Sequence, residues 1–218
     1  MTDSTRHVDL YFDFCCPWSY LALVRLQDVC ERNRAVLRLK PVSVARILET
    51  ENPAKVSSRF AENPAKASWQ RKDIEDWARL WGLTIDFADD WPQRRDAAGA
   101  AALAAVESGN AIDFCLALFR AEFAGNENID DALVLGRIAG DCGLDPAAIG
   151  AAAGDQGKLD EVQRNSLELI ERGGFGTPSM FVDAELFFGN DRVPLVEWTL
   201  GPMASDDFVV PGQHSQWK

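Results

Sequence analysis

The chain has 218 residues, 47 % hydrophobic and 26 % charged, enough to bury a core without metals or disulfides. That length suits one globular domain, or a small domain with a large insertion. Its formal net charge of −12 repels a phosphate backbone, and no basic cluster with interleaved aromatics offsets it, so nucleic acid is not an expected partner.

The first residues carry no basic segment followed by an apolar run, so no signal peptide is expected. The longest apolar stretch, Ala97 to Val106, is Ala-rich and too short to span a bilayer. No membrane partner is expected, and the cytoplasm is the default location. Val8 to Phe14 (VDLYFDF) alternates like a half-buried strand. A Cys-Cys-Pro turn follows, then a helix from about Trp18 to Arg32 with Leu23, Leu26 and Cys30 on its apolar stripe. Ala35 to Pro41 alternates again, giving a β-α-β unit with parallel strands.

From about Ser43 to Asn165 the period becomes 3.6, with helices expected at 67–82, 96–108, 110–124, 130–142, 146–153 and 157–172. Gly143 ends one helix, Asp145-Pro146 starts the next, and Gly173-Gly174 ends the last. The stretch ENPAK occurs at 51–55 and again at 62–66, which reads as two capped turns rather than a solenoid repeat. Ser179 to Asp183 and Glu185 to Phe188 are short strands around a turn at Asp183-Ala184, and a helix from about Arg192 to Leu200 closes the pattern. A β-α-β half joined to a β-β-α half is the thioredoxin architecture. Residues 1–42 and 166–203 form this α/β domain, 43–165 an all-helical insertion subdomain, and 204–218 a loose tail.

Five cysteines offer no zinc pattern, since no CxxC pair exists and His7 and His214 sit at opposite ends, so no metal site is expected. Cys30, Cys115 and Cys142 fall on apolar helical stripes and read as buried small hydrophobes. Cys16 differs. It sits between a strand and a helix, with Pro17 at the first helical position, where orphan N–H groups and the helix dipole lower a thiol pKa. Cys15 points the other way along the strand, and core packing is expected for it; a vicinal Cys15–Cys16 disulfide would need a strained ring.

Cys16-Pro17-Trp18-Ser19 is a CxxC motif whose resolving cysteine is a serine. Cys16 therefore either forms a mixed disulfide that another thiol, such as glutathione, must resolve, or it positions a glutathione thiolate. The Ser19 hydroxyl can bond to either sulfur or cap the helix. Thr177-Pro178 opens the third strand, where the thioredoxin architecture holds a cis-proline facing the active-site cysteine.

FDFCCPWSYLA (12–22) together with GFGTPSMFVDAELFFGNDR (174–192) resembles the 2-hydroxychromene-2-carboxylate isomerase family, which is related to kappa-class glutathione transferases in the DsbA-like branch of the thioredoxin superfamily. The resemblance implies a glutathione-dependent isomerase acting on an aromatic-derived carboxylate in aromatic catabolism. Kappa-class-like glutathione transfer, or monothiol thiol-disulfide exchange, is the alternative. The family's first motif serine, which helps bind and activate the glutathione sulfur, is Cys16 here, and its second is Ser19. Pro17, Trp18, Thr177, Pro178, Asn190 and Asp191 are implied in glutathione binding, the last two at the γ-glutamyl end. Lys66, with Asn52 or Asn63 assisting, resembles the contact to the glycine carboxylate, though it also reads as solvated surface. Arg94-Arg95 matches a family pair that could meet an anionic substrate, or is plain surface. A homodimer is kept open as the assembly.

Overall fold

The structure, a computed structural model, describes residues 6–51, 63–89 and 91–201. Asn52, most of the first ENPAK copy, the start of the second and the tail from Ala204 lie outside the described residues. Four strands form one mixed sheet in the order β2-β1-β3-β4: β1 (His7–Phe12), β2 (Val36–Pro41), β3 (Ser179–Val182) and β4 (Glu185–Phe188). β1 and β2 run parallel, joined by α1 (Pro17–Arg32), while β3 is antiparallel to both β1 and β4. This is the expected thioredoxin-like α/β fold with a helical insertion.

Register places Leu10 of β1 between Leu39 and Met180. Val8, Leu10 and Phe12 join the main core, whereas Tyr11 packs in a second cluster with Val42, Ile47, Leu169 and Phe181. β1 is thus buried on both faces, not half-buried. Its acidic residue Asp9 is tolerated because Arg172 Nη1 donates to Asp9 Oδ2 at 2.8 Å.

The helices α3 (Pro64–Leu80), α4 (Asp96–Ser108), α5 (Ala111–Phe123), α6 (Ala132–Asp141), α7 (Pro146–Ala152), α8 (Gln156–Glu171) and α9 (Val193–Leu200) follow the sequence pattern closely. Side chains of Asp131, Asp145 and Asp155 accept backbone N–H groups at the starts of α6, α7 and α8, the usual satisfaction of orphan helix donors. One helix, α2 (Val44–Glu51), has no counterpart among the expected segments. Its first N–H is taken by a distant residue, Asp13, with Oδ2 2.7 Å from the Val44 nitrogen.

The Ala-rich α4 is buried along most of its length. A Cβ added at Gly99 would stand 3.2 Å from Val162 Cγ2 and 3.6 Å from Pro41 Cβ, so small residues let α4 settle between α8 and β2. A single apolar cluster runs from the sheet (Phe12, Phe14) through α1 (Tyr20) into the insertion (Phe119, Phe123). Tyr20 stacks on Phe119 with centroids 5.2 Å apart. The expected 165/166 boundary falls inside α8. Cys30 and Cys115 are buried as expected, but Cys142 is partly exposed because it caps the end of α6 rather than lying within its stripe. Among the described residues no helix is long and apolar enough to cross a membrane.

Candidate active site

The turn from β1 into α1 is held from several sides. Asp13 is buried, and its Oδ1 accepts the Cys15 N–H at 2.9 Å while Oδ2 accepts that of Val44. The Asp13 carbonyl accepts the Cys16 N–H at 3.0 Å, and the Cys16 carbonyl accepts the Ser19 N–H at 3.0 Å. Trp91, from the insertion, donates its indole N–H to the Cys15 carbonyl at 2.9 Å. Three separate segments therefore fix two consecutive cysteines. Cys15 is packed in the core and Cys16 is partly exposed.

Cys16 is the N-cap of α1, with Pro17 at the first helical position. Its Sγ lies 3.4 Å from the Thr177 carbonyl oxygen and donates to it. The Thr177–Pro178 peptide is cis. The Thr177 hydroxyl is buried with no hydrogen-bond partner at normal reach, yet close enough to the Cys16 sulfur to favour its thiolate. Ser19 is fully buried; its Oγ accepts the Asp13 N–H at 3.5 Å, which leaves its proton available to a sulfur, and it makes no helix cap.

A lowered Cys16 pKa was the expectation from the helix N-terminus, and the structure corrects it. Burial pushes the thiol above its ordinary value, more than hydrogen bonding from Thr177 and Ser19 pulls it down, and the nearby Asp13 charge adds to the rise. The Cys16 S–H is placed as a donor, on the Thr177 carbonyl. Asp13 in turn is held above the usual carboxylate range by its own burial, against the bonds from Cys15 and Val44.

Gly189 N–H donates to the Pro178 carbonyl at 3.0 Å, tying the GNDR turn to the Thr177-Pro178 strand. Asn190 is buried and Asp191 exposed within a short 3₁₀ turn (Asn190–Arg192) that packs against α1. Gly189 has φ of 101°, and a Cβ there would stand 2.6 Å from Asp191 Oδ1, so glycine is required for Asp191 to fold back over the turn. α3 passes on the other side: burial, Asp76 and Asp191 all push up the Asp73 pKa.

Cys16, Ser19 and Thr177 thus converge, with Pro17, Trp18, Pro178, Asn190 and Asp191 on adjoining turns. Lys66 is exposed in the first turn of α3, and Asn63 is occupied in accepting the Lys66 N–H at 3.1 Å. Arg94 is exposed, in line with the surface reading, whereas Arg95 is mostly buried. Arg95 Nε is 2.9 Å from Glu122 Oε2 with both side chains nearly buried, and Arg94 lies 3.3 Å from Asp96 and 3.7 Å from Glu49. Both charges are answered within the protein. Asp13 and Trp91 are contributors that the sequence reading omits; Asp13 stood in the quoted FDF motif, but nothing local in the sequence marks Trp91.

Residues 7–201 match the DsbA-like thioredoxin domain family. The chain is 30 % identical over 198 residues to a 2-hydroxychromene-2-carboxylate isomerase of Sphingobium xenophagum, covering 88 % of this chain and 97 % of that protein. It is 26 % identical to a protein of that name from Pseudomonas putida, covering 89 % and 94 % respectively. A solved 2-hydroxychromene-2-carboxylate isomerase superposes with a TM-score of 0.79 at 24 % identity, over 89 % of this chain and 94 % of that one, a likeness of fold. A thioredoxin-like sheet, a Cys16-Pro17 helix start facing Thr177-Pro178 and these relatives place the chain in the DsbA-like thioredoxin family, in the branch whose members are named 2-hydroxychromene-2-carboxylate isomerase.

Proposed function

We propose that the protein is a glutathione-dependent isomerase of the 2-hydroxychromene-2-carboxylate type, acting on an aromatic-derived carboxylate. The observation that carries the reading is the gathering of donors around one sulfur: the Cys16 thiol has the Ser19 hydroxyl and the buried Thr177 hydroxyl beside it. An orphaned buried hydroxyl beside a thiol fits a sulfur anion, which can accept from several donors.

When bound, glutathione supplies a thiolate that adds reversibly to a conjugated carbon, so that a double bond can rotate or a ring can open. Cys16 donates its S–H to stabilise the sulfur charge, the role the family gives to a serine. Ser19 and Thr177 supply further donors without changing protonation state. The Thr177 backbone, Asn190 and Asp191 hold the peptide end, and Lys66, on its exposed turn, serves the far carboxylate. Mixed-disulfide chemistry needs a Cys16 thiolate, which the raised pKa disfavours at neutral pH.

The test is turnover of 2-hydroxychromene-2-carboxylate with and without glutathione. Cys16→Ser keeps a donor and is expected to retain activity within about tenfold, whereas Cys16→Ala is expected to lose about a hundredfold, as for removal of one anion-stabilising donor. If Cys16→Ser is as impaired as Cys16→Ala, or if omitting glutathione changes nothing, the reading falls.

A further inference from the structure

The carboxylate in the active turn has no partner of opposite charge. Asp13 is 5 % exposed, and each of its side-chain oxygens accepts a backbone N–H, Cys15 at 2.9 Å on Oδ1 and Val44 at 2.7 Å on Oδ2. One bond holds the turn that carries Cys16, and the other holds the start of α2. The Asp13 backbone is engaged as well, its carbonyl by the Cys16 N–H at 3.0 Å and its N–H by Ser19 Oγ at 3.5 Å. Arg94 and Arg95 answer Asp96 and Glu122 instead, and among the described residues no cation pairs with Asp13.

Such a clamp needs a carboxylate rather than any polar group. Both partners are N–H donors, so a proton on either oxygen would face a donor and find no acceptor there. An asparagine would turn one N–H against another. Burial opposes the charged form and Asp96 adds to that, whereas the two N–H bonds favour it. The other carboxylate that Asp13 reaches, Glu122 on α5, is met by Arg95. Burial of the Cys16 sulfur disfavours a thiolate, and the uncompensated charge in the same turn adds to it.

We propose that Asp13 is a positioning residue that clamps the Cys16 turn to α2 and, by its charge, keeps the Cys16 sulfur a proton donor, so that the site stabilises a glutathione thiolate instead of exchanging disulfides. The isomerase reading enters only through the glutathione thiolate; the state of Cys16 is measured without substrate. The suppressed reaction is attack of a Cys16 thiolate on one sulfur of glutathione disulfide. A Cys16–glutathione disulfide forms, a glutathione thiolate leaves, and the Cys16 proton goes to water.

The experiment follows alkylation of Cys16 by iodoacetamide against pH in the full chain, with mass-spectrometric fragmentation separating Cys16 from Cys15. Asp13→Asn should lower the midpoint by about one unit. It should also speed glutathionylation of Cys16 by glutathione disulfide at neutral pH about threefold, since a roughly tenfold gain in thiolate is partly offset by its lower nucleophilicity. Val44→Pro removes one N–H from the clamp but keeps the charge, at a first helical position that suits proline, and should leave the midpoint in place. In the unaltered protein, labelled with ¹³C at aspartate, the Asp13 signal should be that of a carboxylate at neutral pH, a measurement that holds even if Asp13→Asn fails to fold. A midpoint that Asp13→Asn leaves in place or raises, an equal fall in Val44→Pro, or a protonated Asp13 at neutral pH would each overturn the assignment. Failure of the unaltered protein to bind glutathione would sink the isomerase reading and leave these midpoints unchanged.

Discussion

At the scale of single residues, Thr177 separates a structural from a functional role. Its hydroxyl is buried and lacks a hydrogen-bond partner at normal reach, a condition that costs about 1–3 kcal/mol for a group removed from water. Valine has the same branched shape without the oxygen. Thr177→Val should therefore leave the melting temperature unchanged or raise it, while weakening glutathione binding about tenfold, or ~1.4 kcal/mol. Thermal melts and glutathione titration together check this. A fall in stability with intact binding would make the hydroxyl a packing group instead. Cys16 carries the complementary lesson. Its place at a helix start is legible in the sequence, because Pro17 marks the first turn. Its protonation is not, because the burial that raises its pKa comes from residues far along the chain.

At the scale of elements, the attachment of α8 to the sheet is electrostatic as well as apolar. Glu168 Oε1 accepts the Tyr11 hydroxyl at 2.7 Å, and Lys40 Nζ reaches both carboxylate oxygens at 2.7 and 2.6 Å. Arg172, one turn later, donates to the Tyr11 oxygen at 2.9 Å and stacks 3.8 Å from the Phe181 centroid. Burial pulls the Glu168 carboxyl upward, but Lys40 and Tyr11 together hold it below its ordinary range. A depressed carboxyl pKa contributes stability above the unfolded value of about 4.3, lost as pH falls through the lower folded value. Glu168 is 40 % exposed, so screening limits the contribution to about 1 kcal/mol. Glu168→Gln should thus melt about 2–4 °C lower at pH 7, and the gap should close below about pH 4 as the native carboxyl protonates. A pH series of thermal melts checks it; a gap that persists in acid would assign the effect to shape rather than charge. None of this network shows as a pattern in the sequence, where Lys40 and Glu168 are 128 residues apart. The strands and helices themselves are legible because alternation and 3.6-residue periods are local. α2 escapes because it has eight residues and its first N–H donates to Asp13, outside the helix.

At the scale of the whole molecule, the chain changes period at about residue 43 and again near 176, which suggests two units; the packing joins them. Phe14 lies 4.8 Å from Phe119, and Tyr20 is stacked on the same ring, so the wall of the sheet's core is built by the insertion. The active turn shows the same dependence, since the Cys15 N–H donates to Asp13 on its own side while the Cys15 carbonyl accepts from Trp91 across the fold. An insertion that shares the core cannot unfold without exposing the faces of β1 and α1, and a shared core is what makes unfolding cooperative. Urea unfolding should accordingly give one transition. Tryptophan fluorescence reports chiefly on the insertion, through Trp69, Trp77, Trp81 and Trp91. Thiol accessibility of Cys30, whose pKa burial pushes up to about 12, reports on α1 against the sheet. The two curves should superimpose with the same midpoint and slope. If fluorescence changes at lower urea while Cys30 stays protected, the insertion unfolds first and the period change in the sequence marks a true domain boundary.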